Sequence, residues 1–361
     1  MPRSAKRPSG RVSEAVRTLD PGCFAVVMAT GIVSVGLRLE DHHTLSSALR
    51  DLGVVLFAVL LVVTAWRVVA HPHETARDLE DPRRSFGFFT LVAGIDVLAA
   101  RLAMDGHVTI TVALLAAATA LWLLLGYAVP WLTALACHRD GTSLVGGARG
   151  TWFTWVVGSQ SVAVVAAGLE PVVHTGRAPL ALLAVCSWSI GVFLYAAVAV
   201  LVTLRLTTHP LTPQELTAPY WVSMGACAIT VLAGARIVEM TGAPVVAATR
   251  GLVAALAVVF WAFGTWLVPA LVAAGWWRHV VHRVPLRYEA GLWSMVFPLG
   301  MYAAASVYLG RADHLPLVEH VGAVELWVAV AVYVVVLVGL AAHLVGTLLL
   351  GRGAGAERGA D

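Results

Sequence analysis

Asp96 stands inside the apolar run Leu91-Val92-Ala93-Gly94-Ile95-Asp96-Val97. An ionisable side chain at such a depth costs roughly 2.5–3.5 kcal/mol to insert into hydrocarbon, so it needs a partner or a task. A lone carboxyl there can take up a proton, or it can compensate an arginine along an ion path. The structural alternative is an ion pair with Arg101 or Arg236 that only holds helices together. Arg236 and Glu239 are three apart and share one helical face, so they read as an interfacial ion pair rather than a binding site. Gln160, between Ser159 and Ser161, is either an anion donor or an interhelical hydrogen-bond partner. The run Trp293-Ser294-Met295-Val296-Phe297-Pro298 sets a ring directly before a proline, which bends a helix near the preceding turn. On a helix that faces an axis, such a ring can close a narrow passage by sterics and dewetting.

Little else in the chain offers chemistry. His71 and His73 flank Pro72, and His279 and His282 share a later loop, but neither pair has the cysteine or carboxylate companions of a metal site. His343 reads as a satisfied or interfacial histidine of the last apolar stretch. Cys23, Cys137, Cys186 and Cys227 are far apart without a C-x-x-C pair and read as small buried hydrophobes. The absence of Gly-x-Ser-x-Gly, phosphate-loop and HExxH patterns argues against a membrane enzyme and against an ATP-driven pump in this chain. No metal and no cofactor is called for. An enzyme built on Asp96, Arg236 and Glu239 would need polar residues clustered at one membrane face, which the chain scarcely offers.

The elements that must position these residues follow from composition. Of 361 residues, 59% are hydrophobic and 12% charged, with a mean hydropathy of +0.82. Soluble chains run nearer 45–50% and about 25%, which excludes a soluble enzyme, a disordered scaffold and a nucleic-acid module. The net charge of +3 sits in loops and implies no nucleic-acid partner. Ten apolar stretches stand out, at 22–38, 49–70, 86–103, 109–136, 150–168, 179–205, 218–238, 250–276, 289–310 and 322–350. Each must be helical, because hydrocarbon offers no partner to an open backbone group. A cleavable signal peptide fits the first stretch poorly, since no small-x-small cleavage site follows it. Seventeen of the 24 Lys and Arg residues fall on the side of the N-terminus and seven on the other. That bias places both termini in the cytoplasm, with a basic tail over 1–20, a ten-span domain over 21–350 and a short tail over 351–361. Arginine outnumbers lysine 23 to one, a bias of GC-rich bacterial genomes that points to a bacterial plasma membrane.

The spans alternate. Odd-numbered stretches are short and hold 13 glycines in 97 residues, whereas even-numbered ones are long and hold nine in 133. Short glycine-rich helices pack closely or line a cavity, and long Leu/Val/Ala helices suit a lipid-facing ring. Five helical hairpins are expected, with inner helices around an axis and outer helices against lipid.

The opening Pro21-Gly22-Cys23-Phe24-Ala25-Val26-Val27-Met28-Ala29-Thr30-Gly31-Ile32 and the Trp293-to-Pro298 run resemble the tellurite-resistance/dicarboxylate transporter family. That family includes TehA-like permeases, the malate permease, the sulfite pumps and the slow-type anion channels. The resemblance spans about residues 20 to 350. It implies an all-α fold with five inner helices around a central pore and five outer ones, often as a homotrimer. It also implies that Phe297, with Pro298 behind it, occludes the pore. Transport of small anions is then expected, C4-dicarboxylates such as malate foremost. Chloride, nitrate, sulfite or tellurite-related species are the alternative. Thr30, Gly31, Ser34, Gln160 and Ser294 are expected to line the anion path, and Arg101 and Arg236 to enrich anions at one mouth. The plant channels of the family carry long phosphoregulated tails; the short tails here imply no kinase gating of that kind. No family role is carried over to Asp96.

Overall fold

A chain in hydrocarbon must close its own backbone hydrogen bonds, and this one does so as helices throughout. The computed structural model describes residues 8–240 and 243–346, with no strand among them. Among the described residues, ten helices are long and apolar enough to cross a membrane: α1 (Pro21–Leu39), α2 (His43–Ala70), α3 (Ser85–Ala103), α4 (Val108–Arg139), α5 (Gly150–Leu169), α6 (Arg177–Thr208), α7 (Ala218–Glu239), α8 (Pro244–Val281), α9 (Ala290–Ala312) and α10 (Pro316–Leu344). The expected spans lie on these helices. The even-numbered ones begin up to six residues earlier than their apolar stretches, because a first turn such as His43-Thr-Leu-Ser-Ser is too polar to be counted as membrane. Positions 347–350 of the last expected span lie outside the described residues. Three short helices, Pro8–Arg17, Pro72–Glu80 and Leu144–Gly147, occupy segments expected to be tail and loop.

The alternation in length is an alternation in burial. In α1, α3, α5, α7 and α9, between 72% and 83% of the membrane window is buried, against 11–39% in the even helices. The odd helices pack in a closed ring, α1 on α3, α3 on α5, α5 on α7, α7 on α9 and α9 back on α1. Each even helix packs on the odd helix before it and turns side chains such as Val69, Tyr127 and Phe193 outward. Cys137 and Cys227 are buried and Cys23 half-buried. Cys186 is exposed, which corrects the expectation for all four: it lies on the outward wall of α6, where a small apolar side chain faces lipid at no cost.

Every odd helix opens with a 3-10 turn, at Pro21–Phe24, Ser85–Phe88, Gly150–Trp152, Ala218–Trp221 and Ala290–Leu292. These turns touch in the same cyclic order as the helices and form a collar at the end of the ring near the N-terminus. The collar closes backbone on backbone. A Cβ on Gly87 would lie 2.9 Å from the Gly22 nitrogen, and one on Gly150 would press closer still on the Pro219 oxygen and the Tyr220 nitrogen.

A carboxylate holds the loop that enters this collar. Glu215 accepts from Arg149 and from Arg205, each at 2.7 Å, while Arg278 donates to the Gln214 and Leu216 carbonyls at 3.0 and 3.1 Å. The Arg149 guanidinium, joined by Arg205 and opposed by partial burial, holds the Glu215 carboxyl down to about 2.

Two outcomes follow from the collar. Gly150→Ala should lower unfolding stability in detergent by about 1–3 kcal/mol, because the opposing atoms are backbone and cannot turn away. Gly251→Ala, mid-helix with nothing within 4 Å, should be neutral or stabilising. Glu215 is more acidic folded than unfolded. Its contribution is therefore complete above an unfolded value near 4.3 and fades as pH falls toward 2. Glu215→Gln should cost about 2 kcal/mol at neutral pH and flatten that acid limb, as read by thermal unfolding across pH.

Candidate functional site

One cavity is lined by all five inner helices. Ile32 of α1, Asp96 of α3, Ser161 of α5, Ile229 and Arg236 of α7, and Met301 and Tyr308 of α9 face it. Its volume is about 40 Å³, room for a few waters or one small ion. These residues lie in the second half of each helix, so the cavity occupies the end of the ring away from the collar. Its polar groups are few. Ser161 Oγ donates to Asp96 Oδ2 at 2.8 Å, and Oδ1 of the same carboxyl is buried without a hydrogen-bond partner among the described residues. At the mouth, Arg236 stacks 4.2 Å over the Tyr308 ring and donates to the Tyr308 hydroxyl at 2.6 Å. It also meets Glu239 at 3.4 Å, the pair expected from their spacing.

Phe297 is fully buried on α9, on the collar side of the cavity. At about 100° per residue it lies roughly 40° from Met301 and 20° from Tyr308 around the helix, on the face both turn to the cavity. Its neighbours fix that direction. Pro298 meets Gly225 of α7 on one flank, and Gly300 meets Ile32 of α1 on the other.

The structure removes the ion-pair alternative for Asp96 and corrects two expectations about which polar groups face the axis. Asp96 is paired with neither Arg101 nor Arg236; its partner is Ser161. Arg101, fully buried, reaches instead between α1 and α2, donating from Nε to Ser34 and Ser46 at 2.9 and 3.1 Å and meeting Asp105 at 2.7 Å. Arg50 reaches the same Asp105 oxygen at 2.5 Å. Burial alone would raise the Asp105 carboxyl, and the two arginines more than offset it, holding it below the usual carboxylate range. Arg101 is thus neutralised inside a staple and lines no mouth.

Thr30, Gly31, Ser34 and Gln160 also turn away from the cavity. Thr30 bonds the Val26 carbonyl and the Tyr333 hydroxyl of α10, Ser34 bonds the Ser46 carbonyl of α2, and Gln160 donates to the Trp188 carbonyl of α6. Gly31 is a packing contact, 2.5 Å from Val97 for an added Cβ. In a membrane, hydroxyls and amides settle on the nearest backbone carbonyl or neighbouring helix, and for these residues that is the outer ring or their own helix. Ser294 is half-buried in the first turns of α9, at the collar end. The cavity residues missed in the sequence, Ile32, Ile229, Met301 and Tyr308, are mostly apolar and carry no chemical signal. Helical spacing back from Arg236, through Leu232 to Ile229, was the available clue.

A family model described as voltage-dependent anion channel (SLAC1) matches residues 18–341. An uncharacterized membrane protein of Mycobacterium tuberculosis H37Rv is 62% identical over 156 residues, 43% of this chain and 79% of that protein. Two uncharacterized transporters of Methanocaldococcus jannaschii are 22% and 21% identical, covering 86% and 90% of this chain and 88% and 94% of their own.

The two intramembrane arginines should part company on substitution. Arg101→Gln should lower thermal stability in detergent by about 3 kcal/mol, since it removes one partner of a buried charge network and leaves Asp105 to Arg50 alone. Arg236→Gln, at a half-exposed pair, should lower it by less than about 1 kcal/mol.

Proposed function

The chain belongs to the voltage-dependent anion channel family, and on that premise we propose that small anions cross the membrane along the axis of the inner ring, with Phe297 as the closed-state barrier. One observation carries this reading: a single cavity bounded by all five inner helices, with Phe297 on the same face of α9 one turn nearer the collar. The N-termini of all five inner helices meet at the collar, so their positive dipole ends favour an anion there. Arg236 supplies the positive charge at the other mouth, damped by Glu239. Few fixed charges suit throughput, because an ion held tightly does not leave. The arginine bias supports a reading in which the collar and both termini face the cytoplasm of a bacterial cell.

The substrate proposed is a small carboxylate, with C4-dicarboxylates such as malate first. The size of the cavity, about 40 Å³, favours a second reading for this closed conformation, in which chloride, nitrate or sulfite is the usual cargo. A homotrimer is carried over from the family resemblance alone.

Electrogenic flux in liposomes, with malate, chloride and sulfite offered in turn, separates the substrates. Phe297→Ala should raise flux of the accepted anion about tenfold or more, the factor for a barrier lowered by about 1.4 kcal/mol. Unchanged flux in folded Phe297→Ala protein removes the gate.

A further inference from the structure

We propose that Asp96 and Ser161 form an anion-binding site in the central cavity, one that accepts a small carboxylate or oxyanion only while Asp96 carries a proton. The proposal rests on the transport reading and adds a ligand class and a regulating proton to it. Asp96 is 1% exposed, and one of its oxygens is held by Ser161 while the other is buried without a partner among the described residues, on a carboxyl that lines the cavity. A bare carboxylate there would repel any anion entering the same space. A neutral acid group reverses the interaction, since its O–H is a donor and an anion is the acceptor the cavity otherwise lacks.

The groups around Asp96 leave that role to it. From α1 the cavity receives only aliphatic side chains, and from α5 only Ser161 and Val164. Arg236 of α7 and Tyr308 of α9 are the charged and titratable groups facing it, and they are already engaged with each other and with Glu239. Arg101, on the same helix, is turned to Ser34 and Ser46. Ser161 serves both positions of the acid proton. Its oxygen lies 2.8 Å from Asp96 Oδ2 and 3.0 Å from the Gly158 carbonyl, yet it has one proton to donate. With an anion present, Ser161 donates to Oδ2 and the Asp96 proton on Oδ1 points at the anion. With the cavity empty, the acid proton on Oδ2 can donate to Ser161, which then donates to Gly158. The only bond made or broken is the Asp96 O–H, its proton exchanged with water at the mouth.

The test uses the full chain in liposomes, with nitrate and malate as probes, from acid to neutral pH. Parent flux should fall by up to about tenfold per pH unit on the alkaline side of its midpoint, the limit for one titrating group. Asp96→Asn, whose amide donates and has no proton to lose, should show no pH dependence, and Asp96→Ala should lose flux at every pH. A parent-like pH profile in Asp96→Asn overturns the site. Should that variant fail to fold, Ser161→Ala must move the midpoint, and an unmoved midpoint overturns the site equally. Infrared difference spectra separate this proposal from the transport reading. Nitrate added to folded parent should shift a carboxylic-acid C=O band that Asp96→Asn lacks, and absence of that band overturns the site even if anions flow. No flux of any anion, with the band present and shifting, overturns the transport reading and leaves the binding site standing.

Discussion

Five helices can close around an axis only where neighbouring backbones come nearer than ordinary side chains allow. Here that closure is made at the collar, where the Gly87 and Gly150 positions meet backbone of the next turn, and along the ring, where Gly31 meets Val97 and Gly225 meets Pro298. A side chain at any of these points would splay one helix from its neighbour. The axis would then open to lipid, and the common cavity would become separate clefts. The short length of the inner helices follows from the same need. They run 19–23 residues, while the outer ones are 28–38 residues long.

The ring also decides where polar groups go. Within an inner helix, hydroxyls fold back on their own carbonyls, Thr30 on Val26 and Thr230 on Ala226, or reach an outer helix as Ser159 does to Ser187. Each such bond removes a donor from the axis. What remains toward the cavity is aliphatic save for Asp96, Ser161 and the Arg236–Tyr308 pair. Under the proposed function, a lining that is apolar with one donor pair would hold a small ion weakly enough to release it, whereas a lining of hydroxyls would hold it tightly.

The fold was legible in the sequence because its signals are collective. Span number and the inner–outer division are averages over many residues, and no single misplaced boundary alters them. The site was less legible because it depends on rotation about each helix, which composition does not report. Thr30, Ser34 and Gln160 stood out as polar residues on inner helices, but a polar residue in hydrocarbon is as well satisfied by a neighbouring helix as by a pore. Asp96 stood out in the sequence and its partner did not, since Ser161 differs in no visible way from Ser159 two residues earlier; only the turn of α5 sends one to Asp96 and the other to α6. The collar went unread for another reason. Its five turns share a position in the repeat and a taste for glycine and aromatics, but Pro21-Gly-Cys-Phe and Ala218-Pro-Tyr-Trp are too unlike to announce themselves as copies.

The two ends of the ring differ in what can move. Away from the collar, α1, α2 and α3 are tied by Arg101, Arg50 and Asp105, and α9 is tied to α1 and α10 through Arg311 with Glu40 and Glu319. Such staples resist separation of α1, α3 and α9, three of the five helices that bound the cavity. On α9 itself, Pro298 has no amide hydrogen, so the Ser294 carbonyl one turn toward the collar has no helical partner. The segment carrying Phe297 is therefore joined to the stapled half of α9 by a weakened turn, and its flank against α7 is glycine, at Gly225. Under the proposed gating, a small tilt at that joint would carry the Phe297 ring without breaking an ion pair. The proposed barrier and the cavity are thus mechanically separable: Phe297 sits on the bendable segment of α9, and Asp96 sits on α3, which the Arg101 and Arg50 staple ties to α1 and α2.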